Sequence, residues 1–180
     1  MSSHLQVMFM TRLLSIAMVV LFLASLNSCA TWMASPVHPG QTEAEVVARL
    51  GQPTHVYQDG ASRLLEYMHG PMGQTTNMAR IGPDGKLVSY EQVLTVQIFA
   101  TIKIGESDKA MVLRTVGAPS KTVLSSASRL EAWNYPYKEN GVWDSMMTVS
   151  FDKAGIVRNL QNGPDPGYQR GGGGHGGGAH

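Results

Sequence analysis

The sequence has a single cysteine and almost no net charge. One cysteine excludes an internal disulfide framework. Lys and Arg number 14 and Asp and Glu 13, and the cations form no cluster. This balance argues against a nucleic-acid partner, because such binding relies on clustered Lys and Arg that neutralise phosphates. The apolar fraction of 43% is ordinary for globular proteins and argues against disorder across the central region.

A long apolar run without charge lies near the N-terminus, at residues 13–26. Arg12 precedes the run, and small polar residues follow it, which is the layout of an export signal. A membrane-spanning helix is the alternative, but it needs about 20 predominantly apolar residues. We therefore predict a signal peptide over residues 1–28, with Met8 or Met10 as alternative starts.

The cysteine lies directly after this run. The segment Leu26-Asn27-Ser28-Cys29 resembles the lipobox of bacterial lipoproteins, in which the cysteine thiol receives a diacylglyceryl group. The resemblance implies lipidation at Cys29, a tether over residues 29–36 and firm membrane attachment by several acyl chains. Ala30 stands where an Asp would favour the inner membrane, which implies the periplasmic face of the outer membrane. Cleavage after Ala30 is the alternative, and it would release a soluble protein.

The central part of the chain contains an internal repeat. Residues 40–53 match residues 105–119, and the second copy has one extra residue. Further on, residues 61–64 and 127–130 are identical, and the same offset pairs Tyr67 with Trp133. We predict one unit over residues 37–94 and a second over 95–162. A unit of about 60 residues buries only about 60% of its surface and is marginal alone, so fusion would let the two share a core.

Each unit predicts a helix followed by strands. Thr42 with Glu45 forms a capping-box pattern, and Asp108 or Ser107 is the matching start of the second helix. A glycine and then a proline end each helix. The residues predicted to shape these caps and turns are Gly40, Thr42, Glu45, Gly51, Pro53, Gly105, Asp108, Gly117 and Pro119.

Alternating apolar residues predict the strands, and residues between the units predict one more helix. The predicted strands cover residues 63–68, 86–93, 129–135 and 146–151, with a turn at Asn140-Gly141 before the last. Residues 95–101 predict a short helix capped by Thr95. The sum is an α+β fold of two fused helix-plus-antiparallel-sheet units.

The pattern of glycine, short helix, Gly-x-Pro, aromatic-bearing strand and Asp-Gly turn resembles the BamE (SmpA/OmlA) family of outer-membrane-protein assembly lipoproteins. The resemblance covers residues 37 to about 160 as a tandem repeat. It implies a helix pair on a three-stranded antiparallel sheet in each unit, and a non-catalytic role beside the β-barrel assembly machinery. The doubled fold is also similar to the β-lactamase inhibitor protein, which implies as the alternative a binder of a periplasmic enzyme. Either way, the partners expected are envelope proteins.

Aromatic residues in the second unit are the candidate partner-binding residues. Tyr and Trp are favoured at interface hot spots, although they are equally common in strands that fill a core. We expect Pro136 to stop its strand and to leave the following residues outside the sheet. The candidates are Trp133, Tyr135, Tyr137 and Trp143.

No residue pattern predicts catalysis. His38, His55 and His69 match no local metal-ligand motif, and the sequence contains neither a G-x-S-x-G elbow nor a glycine-rich phosphate loop. We predict a non-enzyme with no catalytic residues, no metal site and no cofactor. Residues 163–180 predict a disordered Gly/His-rich tail, in which His175 and His180 are too few to bind a metal ion well.

Overall fold

A computed structural model describes residues 36–70, 74–126 and 128–169 of the 180-residue chain. Cys29, the predicted signal peptide and the last eleven residues lie outside the described residues. In chain order the elements are α1 (Glu43–Leu50), β1 (His55–Asp59), β2 (Ser62–His69), β3 (Thr75–Ile81), β4 (Leu87–Gln92), α2 (Val96–Phe99), α3 (Lys109–Val116), β5 (Lys121–Leu124), β6 (Glu131–Glu139), β7 (Trp143–Phe151), β8 (Val157–Pro164) and α4 (Pro166–Gln169).

The strands form two antiparallel sheets of four strands, ordered β1-β2-β3-β4 and β5-β6-β7-β8. The predicted α+β class is confirmed. Each sheet has four strands rather than the three that the family resemblance implies. None of the helices in the described ranges has the length and apolar character needed to cross a membrane.

The four predicted strands correspond to β2, β4, β6 and β7, whereas β1, β3, β5 and β8 were not predicted. β5 is exposed at all four positions, and β8 is mostly exposed. A strand at a sheet edge needs no alternating apolar pattern, because much of its surface faces water. The predicted tail boundary at residue 163 is wrong for the same reason, since polar β8 runs to Pro164 and α4 follows it.

The predicted helix caps are present. The Thr42 side chain accepts a hydrogen bond from Glu45 N, and the Glu45 carboxylate accepts from Thr42 N at 2.7 Å. Hydrogen bonds from Thr42 lower the pKa of Glu45. Asp108 rather than Ser107 caps α3, and Thr95 caps α2 as predicted. Ser107 is buried, and its hydroxyl accepts a hydrogen bond from Lys103 N.

The two units share one hydrogen-bond framework. Gly40 N donates to Leu87 O, and Gly105 N donates to Val157 O, both at 2.8 Å. The strand pairing shows the same correspondence. His55 of β1 lies opposite Glu66 of β2, and in the second sheet Lys121 of β5 lies opposite Asn134 of β6. The internal repeat is therefore a structural duplication.

Strand pairing corrects one part of the repeat alignment. Residues 62–64 lie in β2, but residues 128–130 lie in the loop before β6, which is longer than the corresponding turn in the first unit. The register beyond this loop shifts by two residues, so the counterpart of Tyr67 is Tyr135 and not Trp133. Tyr67 and Tyr135 are both buried. The sequence identity was misleading here because it matched a strand to a loop.

Each sheet has a helix face, which packs on the helices of its own unit, and a far face. The helix face of the first sheet forms a core with α1 around Val46, Leu65 and Tyr67. The helix face of the second sheet packs on α2 and α3 through Tyr135 and its neighbours. The far face of the first sheet is covered too, by the second unit, since its buried residues Leu64, Met78 and Val93 pack with Ile98 of α2.

A buried carboxylate joins the two units. Glu66, on the far face of the first sheet, is fully buried, and it accepts hydrogen bonds from the Tyr57 hydroxyl and from Ala118 N at 3.1 Å. His55 Nδ1 lies 3.2 Å from the same carboxylate. Gly117 has φ +82°, and a Cβ there would lie 2.7 Å from Glu66 Oε1, so this close approach requires glycine. Burial, and then Glu66, raise the pKa of Tyr57.

Candidate protein-binding surface

Three of the four candidate aromatic residues lie in the core. Trp133, Tyr135 and Tyr137 are 7%, 1% and 0% exposed, so the prediction that they form a contact surface is wrong in this fold. Tyr135 donates a hydrogen bond to Gly117 O, and Phe99 packs against its ring at 5.9 Å. Burial raises the pKa of Tyr135. These rings hold the second sheet on its helices.

The prediction failed because Pro136 does not stop β6, which continues to Glu139 and pairs Pro136 with Met146. Asn134 O accepts a hydrogen bond from Ser120 N on the β5 side. Backbone groups two residues apart point to the same side of a strand, so the nitrogen of Pro136 also faces that side. β5 pairs only with residues 131–134, so no ladder hydrogen bond is lost at Pro136.

Trp143 is the candidate residue that is exposed, with 68% of its surface accessible. It begins β7, directly after the turn at Asn140-Gly141, where both residues have positive φ as that turn signal predicts. The adjacent Val142 is 67% exposed. The hairpin between β6 and β7 therefore presents two consecutive large apolar side chains to solvent.

The backbone beneath Trp143 is held in place. Trp143 pairs with Glu139, whose carboxylate accepts hydrogen bonds from Ser145 Oγ at 2.8 Å and Asn162 Nδ2 at 3.1 Å. These bonds, with that of Ser145 largest, lower the pKa of Glu139. Trp143 is thus an exposed aromatic residue on a preorganised hairpin, which reduces the entropy that binding would cost.

Charged and polar groups beside the hairpin connect it to α4. Lys138 Nζ lies 2.7 Å from Asp144 Oδ1 and 5.4 Å from the centre of the Tyr168 ring. Gln74, from the first unit, donates to Asp144 and accepts from the Tyr168 hydroxyl. These contacts place α4 on the far face of the second sheet, beside the exposed hairpin.

Sequence reasoning missed α4 and the residues that fix it, because they fell within the predicted tail. The segment Pro164-Asp165-Pro166 carries a usable signal. Asp is a preferred helix N-cap, and proline is favoured at the first helical position. In the structure Asp165 Oδ1 accepts from Gly167 N at 2.8 Å, the contact that this pattern predicts.

Within the described residues, no group of three or more His, Cys, Asp or Glu side chains is placed to hold a metal ion. His38, His55 and His69 are all exposed, and His55 alone contacts a carboxylate. The cluster of His55, Tyr57 and Glu66 lies at the junction of the units, and its carboxylate is already occupied by hydrogen bonds. The arrangement stabilises the junction.

No family model matches the chain, and no curated protein or solved structure matches it either. The likeness to the BamE-type lipoproteins therefore depends on the sequence motifs alone. The candidate surface has to be judged on its own geometry. It is an exposed apolar hairpin at one end of the second sheet, with Trp143 on the side of the helix face and Asp144 on the side of α4.

Proposed function

We propose that the chain is a non-catalytic protein-binding module, tethered through lipidated Cys29 to the periplasmic face of the outer membrane. It binds envelope proteins, and the β-barrel assembly machinery is the partner that the family resemblance favours. The hairpin of Val142 and Trp143 is the contact, and the far face of the second sheet lies beside it.

The exposure of Trp143 carries this proposal. An aromatic ring left 68% accessible on a hairpin with a fixed backbone gives little to stability, yet Trp dominates binding energy when a partner buries it. Val142 extends the apolar contact. The charged residues nearby, Lys138 and Asp144, provide the polar rim that such an interface needs.

Site-specific cross-linking tests the contact. A photo-reactive phenylalanine replaces Trp143 in cells, and the matched control carries it at Val88, an apolar residue of β4 that is 54% exposed on the other sheet. We expect products with barrel-assembly subunits from position 143 and none from position 88. Equal labelling from both positions, or none from 143, contradicts the proposed contact.

The same experiment separates the alternative function. Products between position 143 and a soluble periplasmic enzyme would favour an inhibitor-type binder, whose activity assay with and without the protein then becomes decisive.

The anchor is tested separately by the intact mass of the protein from a membrane fraction. We expect a chain that starts at Cys29 with added acyl groups, and we expect Cys29→Ser to abolish membrane retention. An unmodified chain that starts at Thr31 would remove the anchor from the proposal and leave the binding surface to be judged by cross-linking.

A further inference from the structure

A pocket lies between α4 and the far face of the second sheet. Its volume is 460 Å³, within the range of sites that hold small organic groups. α4 is held over it because Asp165 N donates to Asp144 O at 2.9 Å and the Tyr168 hydroxyl donates to Gln74. The lining residues used below are Lys121, Asn134, Pro136, Met146 and Asp165.

Asp165 is the buried charged group of this pocket. It is 1% exposed, and while Oδ1 accepts from Gly167 N, Oδ2 has no hydrogen-bond partner among the described residues. A buried carboxylate oxygen without a donor is costly, and such an atom in a folded protein calls for an explanation. Oδ2 has almost no accessible surface, so a donor in the pocket that Asp165 lines can reach it once the carboxylate turns toward the pocket.

The other walls restrict the chemistry of that donor. Pro136 and Met146 offer apolar surface to a methylene chain, while Asp165 at its end offers a carboxyl group as acceptor. A guanidinium group carries five N–H donors and an alkyl stem, and it matches a carboxylate better than any other side chain. Lys121 and Asn134 can meet acceptors attached to the same ligand, such as peptide carbonyls.

We propose that this pocket binds an alkylguanidinium group, with the Asp165 carboxylate turning so that Oδ2 accepts its donors and with its stem between Pro136 and Met146. The group is that of an arginine, either within a peptide or as the free amino acid. This site goes beyond the proposed function, because it depends neither on Cys29 nor on the hairpin of Val142 and Trp143.

The test titrates the exported chain, residues 29–180 with Cys29→Ser, with acetyl-arginine amide and follows the Gly167 amide by ¹H–¹⁵N NMR. We expect saturable shifts at Gly167 and at the Asn134 side chain. Acetyl-citrulline amide, which is neutral and nearly the same shape, should bind at least about tenfold more weakly, as should acetyl-arginine amide to Asp165→Asn. The matched control is Asp108→Asn, which removes a capping carboxylate from α3 and should leave binding unchanged.

A second variant guards against a folding defect in Asp165→Asn. Met146→Trp fills the pocket while Asp165 remains, and it should abolish binding in a protein whose other amide signals are unchanged. Tighter binding of acetyl-arginine amide than of free arginine identifies a peptide as the source, and the reverse identifies the amino acid. The proposal is overturned if Gly167 does not respond, if citrulline binds equally well, or if Asp165→Asn binds like the parent chain.

Discussion

The two units share their hydrogen-bond framework but differ at the far faces of their sheets. In the first sheet this face buries three apolar residues and the Glu66 carboxylate against the second unit. In the second sheet the corresponding residues are small or polar and partly accessible. The counterparts that strand pairing identifies are Leu64 with Ala132, Glu66 with Asn134, Met78 with Thr148, and Val93 with Gly163.

This difference shows what duplication achieved. One copy of the far face holds the units together, and the other copy is covered only in part, by α4. The second face is therefore the one left available for ligands, and the proposed arginine pocket lies on it. The exposed hairpin lies at the end of the same sheet, where Trp143 is on the side of the helix face. One sheet face could not be buried against a second unit and also remain open to ligands.

A second difference concerns an ion pair that both units contain. It joins the first residue of α1, or of α3 in the second unit, to a strand of the same unit's sheet. Glu43 pairs with Arg63 at 2.7 Å in the first unit, and the counterparts Lys109 and Glu131 pair at 2.6 Å in the second. The charges have exchanged places while the contact has stayed. Position and complementarity matter here more than the sign of either charge.

The largest expected effect tests the corrected correspondence of Tyr67 and Tyr135. Tyr67→Ala and Tyr135→Ala should each lower the free energy of unfolding by about 3–5 kcal/mol, because each removes a buried aromatic ring. Urea unfolding of the exported chain with Cys29→Ser measures both. Trp143→Ala is the control and should stay within about 0.5 kcal/mol. If Tyr67→Ala lowered the free energy of unfolding only slightly while Tyr135→Ala lowered it strongly, the two tyrosines would not be equivalent.

The next effect tests the far faces. Met78→Ala should cost about 2–5 kcal/mol, because Met78 is buried between the units. Its counterpart change, Thr148→Ala, should cost about 1 kcal/mol or less, since it removes one partly buried hydrogen bond to Asn134. Thermal or urea unfolding compares the two. Equal losses would contradict the view that the first far face, unlike the second, is packed between the units.

A smaller effect separates the two tyrosine hydroxyls. Tyr135→Phe should cost about 1 kcal/mol, because it removes the hydrogen bond to Gly117 O. Tyr67→Phe should be neutral or slightly stabilising, since the buried Tyr67 hydroxyl has no partner among the described residues. The same unfolding assay applies, and a larger loss at Tyr67 would contradict the finding that its hydroxyl has no partner among the described residues.

The smallest effect concerns the exchanged ion pair. Lys109→Glu should lower stability by about 1 kcal/mol or less, by setting two carboxylates together, and adding Glu131→Arg should restore most of the loss by recreating the first unit's arrangement. A double-mutant cycle measures the coupling. No recovery in the double variant would show that the sign of each charge is dictated locally.

The pH dependence sharpens this last comparison. Hydrogen bonds from Lys109, and then from Trp133, lower the pKa of Glu131 below its ordinary value of 4.5. The unfolded chain therefore binds this proton first, so the stabilisation is complete above pH 4.5 and is lost as the pH falls through the lower folded value. In the Glu131→Gln variant, the free energy of unfolding should fall less steeply than in the parent chain as the pH drops below 4.5. An unchanged acid limb would contradict this role of Glu131.

Much of the local structure could be read from the chain. The capping box of Thr42 and Glu45, the helix-ending Gly51 and Gly117, and the turn at Asn140-Gly141 all follow from local backbone chemistry, and the structure contains each of them. Such features depend on residues close in sequence, which is why one sequence suffices to predict them. Trp143 is exposed, as a contact residue should be, but the reason for expecting exposed residues there was wrong because Pro136 does not stop β6.

The site itself was only partly predictable. The spacing of Trp133, Tyr135 and Tyr137 puts them on one face of β6, but alternation does not say which face is covered. Asp165 could not be recognised as a pocket residue, because its surroundings come from β5, β6 and β7. Side chains far apart in sequence meet only once the sheet has formed.

The sequence by itself determined the duplicated α+β framework, since caps, turns and helix periodicity act over a few residues. Only the tertiary structure decided that one far face would join the units while the other stayed partly open. The reason is that burial depends on what packs opposite a sheet. For this chain that partner is the second copy of its own fold, brought against the first by contacts such as that of Glu66 with Ala118.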